Sequence, residues 1–187
     1  MMLTRLRVAP PPREPRTNSR TMRDSDLSTH DTPPPPLCYQ AILFDLYGTL
    51  IDQTATATPG ALERLAECQG ARWGIVTSAG VWLARHLIER ARVPLPPVLV
   101  SGDDVAQNKP APDGYLAAAA RLQVDPQRTL AIEDTADGVA SARAAGMDVV
   151  AVLYGSAAER FSAATFTIRD LTKLRLRRIE DAVQVEL

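Results

Sequence analysis

The stretch that decides the fold is residues 41–52, which reads AILFDLYGTLID. Its first four residues form a short, continuous apolar run, which is typical of a strand buried on both faces of a sheet. Asp45 follows this run directly. The pattern therefore predicts a buried strand with a carboxylate at its carboxyl end.

Apolar runs and helical patterns alternate along the rest of the chain. Further strands are predicted at residues 73–77, 97–100, 129–132, 148–152 and 165–168, and helices near 58–69, 81–92, 113–122 and 136–145. A charged helix is expected to end the chain, with three arginines on its solvated face, Arg175, Arg177 and Arg178. Alternating β and α units of this kind predict an α/β fold, in which helices cover both faces of a parallel sheet.

Several local expectations follow from the same patterns. Thr58 and Pro59 are expected to begin the first helix, as N-cap and first helical residue. The inner face of that helix is assigned to Leu62, Leu65 and Ala66. Three large aromatic residues are expected in the core, namely Phe44, Trp73 and Trp82. Two acids are expected to be solvated loop residues, namely Asp103 and Asp104.

Composition limits the functional classes. Hydrophobic residues make up 45% of the 187 residues, and 21 Lys and Arg against 22 Asp and Glu give a net charge of -1. A near-neutral chain does not favour nucleic-acid binding, and no apolar run approaches the roughly 20 residues of a membrane span. Two cysteines and no secretory-type apolar segment favour a reducing compartment, so a cytoplasmic location is expected.

Residues 1–36 differ from the remainder. They hold 8 of the 15 prolines and six arginines, with few large apolar residues. Such a segment cannot offset the entropy lost on ordering, so a disordered, Pro/Arg-rich N-terminal tail is predicted. Residues 37–187 are predicted to form one domain.

Polar side chains follow the predicted strands. Asp45 ends the first strand, Thr77 and Ser78 end the second, Lys109 follows the third, and Glu133-Asp134 end the fourth. Ligands of open parallel sheets bind beyond the carboxyl ends of the strands. The edge would thus combine a nucleophilic carboxylate, hydroxyl donors, a cation and an acidic pair suited to Mg²⁺.

The order of these motifs resembles the haloacid dehalogenase (HAD) superfamily. The four matching segments are DLYGTL at 45–50, VTS at 76–78, KPAPDGY at 109–115 and IEDTADG at 132–138. The third and fourth look most like its sugar-phosphatase and β-phosphoglucomutase-like branch. The resemblance implies a three-layer α/β/α, Rossmann-like core and a phosphatase that uses Mg²⁺.

The resemblance also implies roles for individual residues. Asp45 would attack phosphorus, Thr77 would hydrogen-bond a phosphoryl oxygen, and Lys109 would bridge the two. Backbone N–H groups of Leu46 and Ser78 would assist. For the metal, Asp134 would be a direct ligand beside Asp45, Glu133 would support it, and the Tyr47 backbone carbonyl would complete the set.

Tyr47 departs from the pattern of the superfamily's phosphatases. Most have a second Asp there, which protonates the leaving oxygen and then activates water. A phenol is a poor base near pH 7, and loss of one acid–base group removes about 10²–10⁴-fold in rate. Tyrosine at this place resembles the L-2-haloacid dehalogenases, which work without metal.

The cap domain of this branch is the second departure. It is inserted just after the first motif, where only residues 53–57 separate Asp52 from Thr58. About five residues can form a turn but no domain, so a capless core is predicted. A site without a lid is open to water and to large substrates.

Three functions follow as hypotheses. The first is a phosphate-monoester hydrolase acting on a small phosphorylated substrate, such as a sugar or polyol phosphate, or on a larger phosphorylated molecule. The second is an inactive phosphate- or partner-binding pseudoenzyme, which Tyr47 and the missing cap favour. The third is a 2-haloacid dehalogenase. The oligomeric state is left open.

Overall fold

A computed structural model describes residues 37–187. Within them the strands are β1 (Leu37–Tyr39), β2 (Ala41–Phe44), β3 (Arg72–Val76), β4 (Val98–Val100), β5 (Thr129–Glu133), β6 (Asp148–Val152), β7 (Phe166–Ile168), β8 (Arg175–Ile179) and β9 (Ala182–Glu186). The α-helices are α1 (Ala61–Glu67), α2 (Val81–Arg90), α3 (Asp113–Leu122) and α4 (Ala136–Ala144). The tail predicted at 1–36 lies outside the described residues.

Six strands form the central parallel sheet, in the order β4-β3-β2-β5-β6-β7. Successive side chains of a strand point to opposite faces, which divides β2 between two cores. Ile42 and Phe44 belong to one core with α1 and α2, whereas Leu43 belongs to the other with α3 and α4. The predicted parallel sheet, with helices on both faces, is therefore confirmed.

The register of β2 positions the carboxyl edge of the sheet. Phe44 is aligned with Ile75 of β3 on one side and with Ile132 of β5 on the other. The next residue of each strand therefore lies at the same edge. This brings Asp45 beside Glu133, although 88 positions separate them in sequence.

The chain turns back where a cap domain would be inserted. The Asp52 N–H donates to the Thr56 carbonyl at 2.9 Å, and Ile51 and Ala57 form an antiparallel bridge. The Asp52 side chain also accepts hydrogen bonds from the backbone N–H groups of Thr54 and Thr56. Residues 52–57 are thus a closed turn, in agreement with the capless prediction.

The beginning of α1 differs from the prediction. The helix starts at Ala61, with Gly60 at a φ of 87° as its N-cap. Thr58 is no cap, because its hydroxyl donates to the Thr49 carbonyl at 2.6 Å. The inner face consists of Ala61, Arg64 and Leu65, so the assignments of Leu62 and Ala66 to it were wrong.

The predicted C-terminal helix is also wrong. Residues 175–186 form the β8–β9 hairpin, and β1 pairs with β9 to complete an antiparallel sheet. Leu176, Val183 and Val185 are buried while Arg175 and Arg177 are exposed. This is a period of two residues, which a strand satisfies and a helix does not. Arg175 and Arg177 therefore lie on the exposed face of β8, whereas Arg178 lies opposite Val183 on the other face.

One further expectation about a single residue was wrong. Trp82 is 76% exposed and stacks on His86, because the inner face of α2 is supplied by Ala84 and Ile88. Phe44 and Trp73 do lie in the core. None of the helices in the described part of the chain has the length and apolar character that crossing a membrane requires.

Candidate active site

Asp45 lies immediately after β2, at the centre of the sheet edge. Its backbone N–H continues the ladder by donating to the Ile132 carbonyl at 2.9 Å. Only 7% of its surface is exposed, and its carboxylate accepts a hydrogen bond from the Lys109 ammonium at 2.5 Å. Asp45 thus has a fixed backbone and lies at the edge of the sheet, which suits a group that must contact a substrate.

Lys109 reaches the same point from the loop before α3. Its ammonium donates to Asp45 at 2.5 Å, to Glu133 at 2.6 Å and to the Val76 carbonyl at 3.0 Å. An ammonium has three N–H donors, so all of them are used. Lys109 thereby ties together the ends of β2, β3 and β5.

Glu133 is the most deeply buried member of the group, with no exposed surface. One carboxylate oxygen accepts from Lys109 and from the Tyr115 hydroxyl at 2.7 Å. The other accepts from the Asp134 N–H at 3.2 Å and the Thr135 hydroxyl at 3.3 Å. Because both oxygens have partners, the arrangement suits a residue that holds Lys109 in place.

Asp134 follows β5 and faces the turn after Asp45. The Thr49 hydroxyl donates to its carboxylate at 2.9 Å. Gly48 makes this approach feasible: with a φ of 98° it adopts a conformation that favours glycine, and an added Cβ would lie 2.0 Å from an Asp134 oxygen. The glycine and threonine of the first motif thus position the acid of the fourth.

Asp45, Glu133 and Asp134 fit a divalent cation. Each offers a carboxylate oxygen, and these three atoms lie within 4.8 Å of one another. Carboxylate oxygens are the ligands that Mg²⁺ prefers. Three carboxylates also share the single positive charge of Lys109, so the cluster carries an excess of negative charge that a cation would balance. Asp137 is outside this cluster.

Ionisation at the site reflects this crowding. Burial raises the pKa of Asp45 to about 7 against the opposing pull of Lys109, with the charge of Glu133 contributing. Burial likewise raises the pKa of Asp134 to about 6, although the Thr49 hydrogen bond opposes it. Burial disfavours the charge of Lys109, but the carboxylates of Asp45 and Glu133 outweigh it and raise its pKa.

A cleft of about 730 Å³ opens in front of Asp45. The polar part of its lining consists of Asp45, Gln53, Thr77, Ser78, Lys109, Thr135 and Asp137. The Thr77 hydroxyl accepts a hydrogen bond from the Ala79 N–H at 3.2 Å. The side chain of Tyr47 also lines the cleft and is 48% exposed, whereas that of Leu46 is fully buried, which leaves only its backbone for a ligand.

Sequence reasoning missed the partners that hold these residues. Tyr115 was part of the third motif but had no assigned role, and Thr49 had none either. Their hydroxyls contact the two acids of the fourth motif. Both residues could have been considered from the sequence, because each lies in a motif that already contained a predicted site residue.

Asp103 and Asp104 are structural residues, so describing them as solvated loop acids was incomplete. Asp103 accepts from the Val81 N–H at 2.7 Å, at the start of α2. Asp104 accepts from Ser101 and forms an ion pair with Arg121 at 2.8 Å. These hydrogen bonds hold the pKa of Asp104 at about 2. Both acids fasten the loop that leads toward Lys109.

Among the known proteins that this chain resembles are two phosphatases and a β-phosphoglucomutase. Hexitol phosphatase A of Escherichia coli (strain K12) is 41% identical over 99 residues, which cover 52% of this chain and 46% of that protein. Validoxylamine A 7'-phosphate phosphatase of Streptomyces hygroscopicus subsp. limoneus is 35% identical over 133 residues, covering 69% and 62%. The crystal structure of β-phosphoglucomutase from Clostridium difficile superposes with a TM-score of 0.58 at 21% identity, covering 64% of this chain and 52% of that one.

These matches are consistent with the sugar-phosphatase and β-phosphoglucomutase-like branch that the motifs resemble. The chain spans about half the length of the hexitol phosphatase, at 46%. The family model of haloacid dehalogenase-like hydrolases matches residues 53–146, which is half of the chain. The chain therefore belongs to the haloacid dehalogenase-like hydrolase family.

Proposed function

We propose that this chain is a Mg²⁺-dependent phosphate-monoester hydrolase that acts through Asp45. The observation that carries the proposal is that Asp45 and Lys109 line one cleft, while Asp134 offers a carboxylate oxygen within 4.8 Å of one from Asp45. The names of the relatives, which include hexitol and validoxylamine phosphate phosphatases, support the same reaction class. Small phosphorylated alcohols are the proposed substrates.

Asp45 supplies the nucleophile. One of its carboxylate oxygens forms a bond to phosphorus while the bond from phosphorus to the ester oxygen breaks, which gives an aspartyl-phosphate. The released oxygen takes a proton from water and leaves as the alcohol. Water then attacks phosphorus and releases inorganic phosphate, which regenerates Asp45. The burial of Asp45 beside Lys109 supports this role, since the ammonium orients the carboxylate and offsets phosphoryl charge.

Hydroxyl and backbone groups at the ends of β2 and β3 bind the phosphoryl oxygens in this proposal. Thr77 and Ser78 line the cleft beside Asp45. Their hydroxyls, with the backbone N–H groups of Leu46 and Ser78, supply the donors. The single cation at this position, Lys109, already contacts Asp45.

Asp45, Asp134 and the Tyr47 backbone carbonyl would hold Mg²⁺, with Glu133 supporting them. When bound, the metal offsets negative charge on the transferring phosphoryl group. Asp134 is the more important of the two acids in the fourth motif, because Glu133 already has partners on both oxygens. In calorimetric titrations, Asp134→Asn should lose Mg²⁺ binding, whereas Asp137→Asn should bind as wild type does. The reverse result would contradict the assignment.

Tyr47 provides the observation that favours a second function. Its phenol stands in the cleft where a carboxylic acid would serve as acid and base, and a missing acid–base group costs about 10²–10⁴-fold in rate. A chain without turnover would be a phosphate- or partner-binding pseudoenzyme. Tyr47→Asp separates the two functions: activity created from none supports the binder, and activity already present in wild type excludes it.

The direct test uses p-nitrophenyl phosphate with and without Mg²⁺. We expect slow, metal-dependent release of p-nitrophenol that Asp45→Asn reduces by about 10⁴-fold. Equal rates for wild type and Asp45→Asn in both conditions would overturn the proposal. Chloride release from a 2-chloroacid without metal would instead establish the dehalogenase alternative.

A further inference from the structure

We infer that the cleft selects phosphate monoesters whose alcohol part is uncharged and apolar, and that Leu83 determines this preference. The inference rests on the proposed function, because it assigns the Asp45 end of the cleft to the phosphoryl group. Two properties of the lining carry it, namely the distribution of charge and the placement of apolar side chains.

Charge in the cleft leaves no place for a second anion. Within residues 37–187, Lys109 is the one cationic side chain in the lining, and its three N–H donors are already used by Asp45, Glu133 and Val76. The other charged side chains of the lining are the carboxylates of Asp45 and Asp137. A substrate with a carboxylate or second phosphate on its alcohol part would therefore meet repulsion without a compensating cation.

Apolar and aromatic side chains form the rest of the lining. Tyr47 and Leu83 are 48% and 45% exposed, and Leu87 on α2 and Ala79 just before α2 complete the apolar lining. Exposed apolar surface beside a polar anchoring point is typical of ligand pockets. An aromatic or aliphatic group placed against it would remove this surface from water, which favours binding in proportion to the buried area.

The size of the cleft agrees with such a ligand. Its volume of about 730 Å³ lies within the roughly 300–1,000 Å³ of small-molecule sites. A cleft of this volume has room for a phosphoryl group at Asp45 together with a ring in contact with the apolar lining. Leu83 is the informative position, because it lines the cleft while remaining half exposed, so a longer polar side chain can be accommodated there without disturbing the core.

The test measures binding of three phosphonates to the full chain in Mg²⁺ by calorimetry. Methylphosphonate reports the phosphoryl site alone, phenylphosphonate adds an apolar ring, and phosphonoacetate adds a carboxylate. We expect phenylphosphonate to bind about tenfold more tightly than methylphosphonate, and phosphonoacetate to bind more weakly than either. Leu83→Arg should reduce the advantage of the ring to less than about threefold and strengthen phosphonoacetate binding.

Trp82→Arg is the matched control. It adds the same charge one residue away on the same helix, but Trp82 is 76% exposed and is not part of the cleft lining. It should leave all three affinities within about twofold of wild type, since exposed charges are strongly screened. Melting temperatures and the uncharged variant Leu83→Gln separate the effect of charge from any change in folding.

Phosphonoacetate binding as tight as phenylphosphonate, equal effects of Leu83→Arg and Trp82→Arg, or no binding of any phosphonate would each overturn the inference. These ratios are measured without turnover, because the carbon–phosphorus bond is not hydrolysed. Failure to hydrolyse p-nitrophenyl phosphate would thus count against the proposed function, while the ratios would decide the selectivity.

Discussion

Two regions of the molecule bury charge in opposite ways. Arg64 on α1 is 4% exposed and donates to the carbonyls of Leu171 and Leu174 and, at 2.9 Å, to the Glu67 carboxylate. At the carboxyl edge of the sheet, three carboxylates share the one ammonium of Lys109. The positive charge of the first cluster is balanced by a carboxylate of the protein, whereas the second cluster has more negative than positive groups.

The difference separates structure from function. A buried charge with several hydrogen-bond partners holds elements together. Arg64 and Glu67 link α1 to the segment entering β8 in this way, although the Nε of Arg64 has no partner among the described residues. A buried cluster with excess negative charge is costly unless something else binds to it. The negative cluster is therefore the candidate site for a cation, and Arg64 marks a structural joint.

Gly138→Ala should give the largest loss of stability, because it disturbs the hydrogen bonds of Glu133 in the candidate active site. A Cβ at Gly138 would lie 2.0 Å from the carboxyl carbon of Glu133, which would displace this acid from Lys109 and Tyr115. We expect a loss of about 3 kcal/mol in the free energy of unfolding, measured by urea denaturation.

The direction of this effect is diagnostic, because alanine ordinarily stabilises a helix relative to glycine by about 1 kcal/mol. In a Glu133→Ala background the clash is removed, so Gly138→Ala should cost little there. An equal loss in both backgrounds would show that Glu133 is not the reason.

Arg64→Met should damage the structural joint and leave the site intact. It leaves the carbonyls of Leu171 and Leu174 and the carboxylate of Glu67 without their donor. We expect a loss of about 2 kcal/mol in unfolding free energy and unchanged Mg²⁺ affinity. The control is Arg85→Met, at an exposed position of α2, which should change stability by less than about 0.5 kcal/mol. A weakened Mg²⁺ affinity in Arg64→Met would contradict the separation of the two regions.

Magnesium affinity should depend on pH through the carboxylates. The pKa of Asp45 is raised from 3.8 to about 7 and that of Asp134 to about 6, so both hold protons at pH 5 in the folded, metal-free protein. Without metal, their ionisation lowers stability as pH rises from about 4 to 7, since the unfolded chain releases these protons earlier.

Mg²⁺ binds the ionised forms, so its affinity should increase by about tenfold or more between pH 5 and pH 8, or about 1.4 kcal/mol. The shift of melting temperature produced by Mg²⁺ at the two pH values measures this effect. Asp134→Asn should abolish most of the difference. A stronger Mg²⁺ effect at pH 5 than at pH 8 would overturn the prediction.

Much of the candidate site could be predicted because it depends on strand ends. Asp45 and Glu133 each follow an apolar run, and the register of β2 with β5 places them side by side. Any parallel sheet brings the carboxyl ends of its strands to one edge, whatever lies between them in sequence. The motif order then indicated that Lys109 lies beside Asp45, whereas its hydrogen bond to Glu133 was not predicted.

Which side of a helix or hairpin is buried could not be predicted as well. Trp82 was expected in the core because of its size, but the small residue Ala84 faces the sheet instead. At the C-terminus, a helix was predicted from the charged residues 175–178. The chain instead forms a hairpin, which follows the alternation of buried and exposed residues that continues through Val183 and Val185.

The sequence by itself determined the family, the parallel sheet, the absence of an insertion at 53–57 and the acids at the strand ends, because these depend on local composition and chain order. The tertiary structure decided which side chains contact these acids and the C-terminal segment. Tyr115 donates to Glu133, Thr49 donates to Asp134, and Arg64 donates to the Leu174 carbonyl. Such contacts join residues up to 110 positions apart. They arise from the packing of whole elements, which no local pattern encodes.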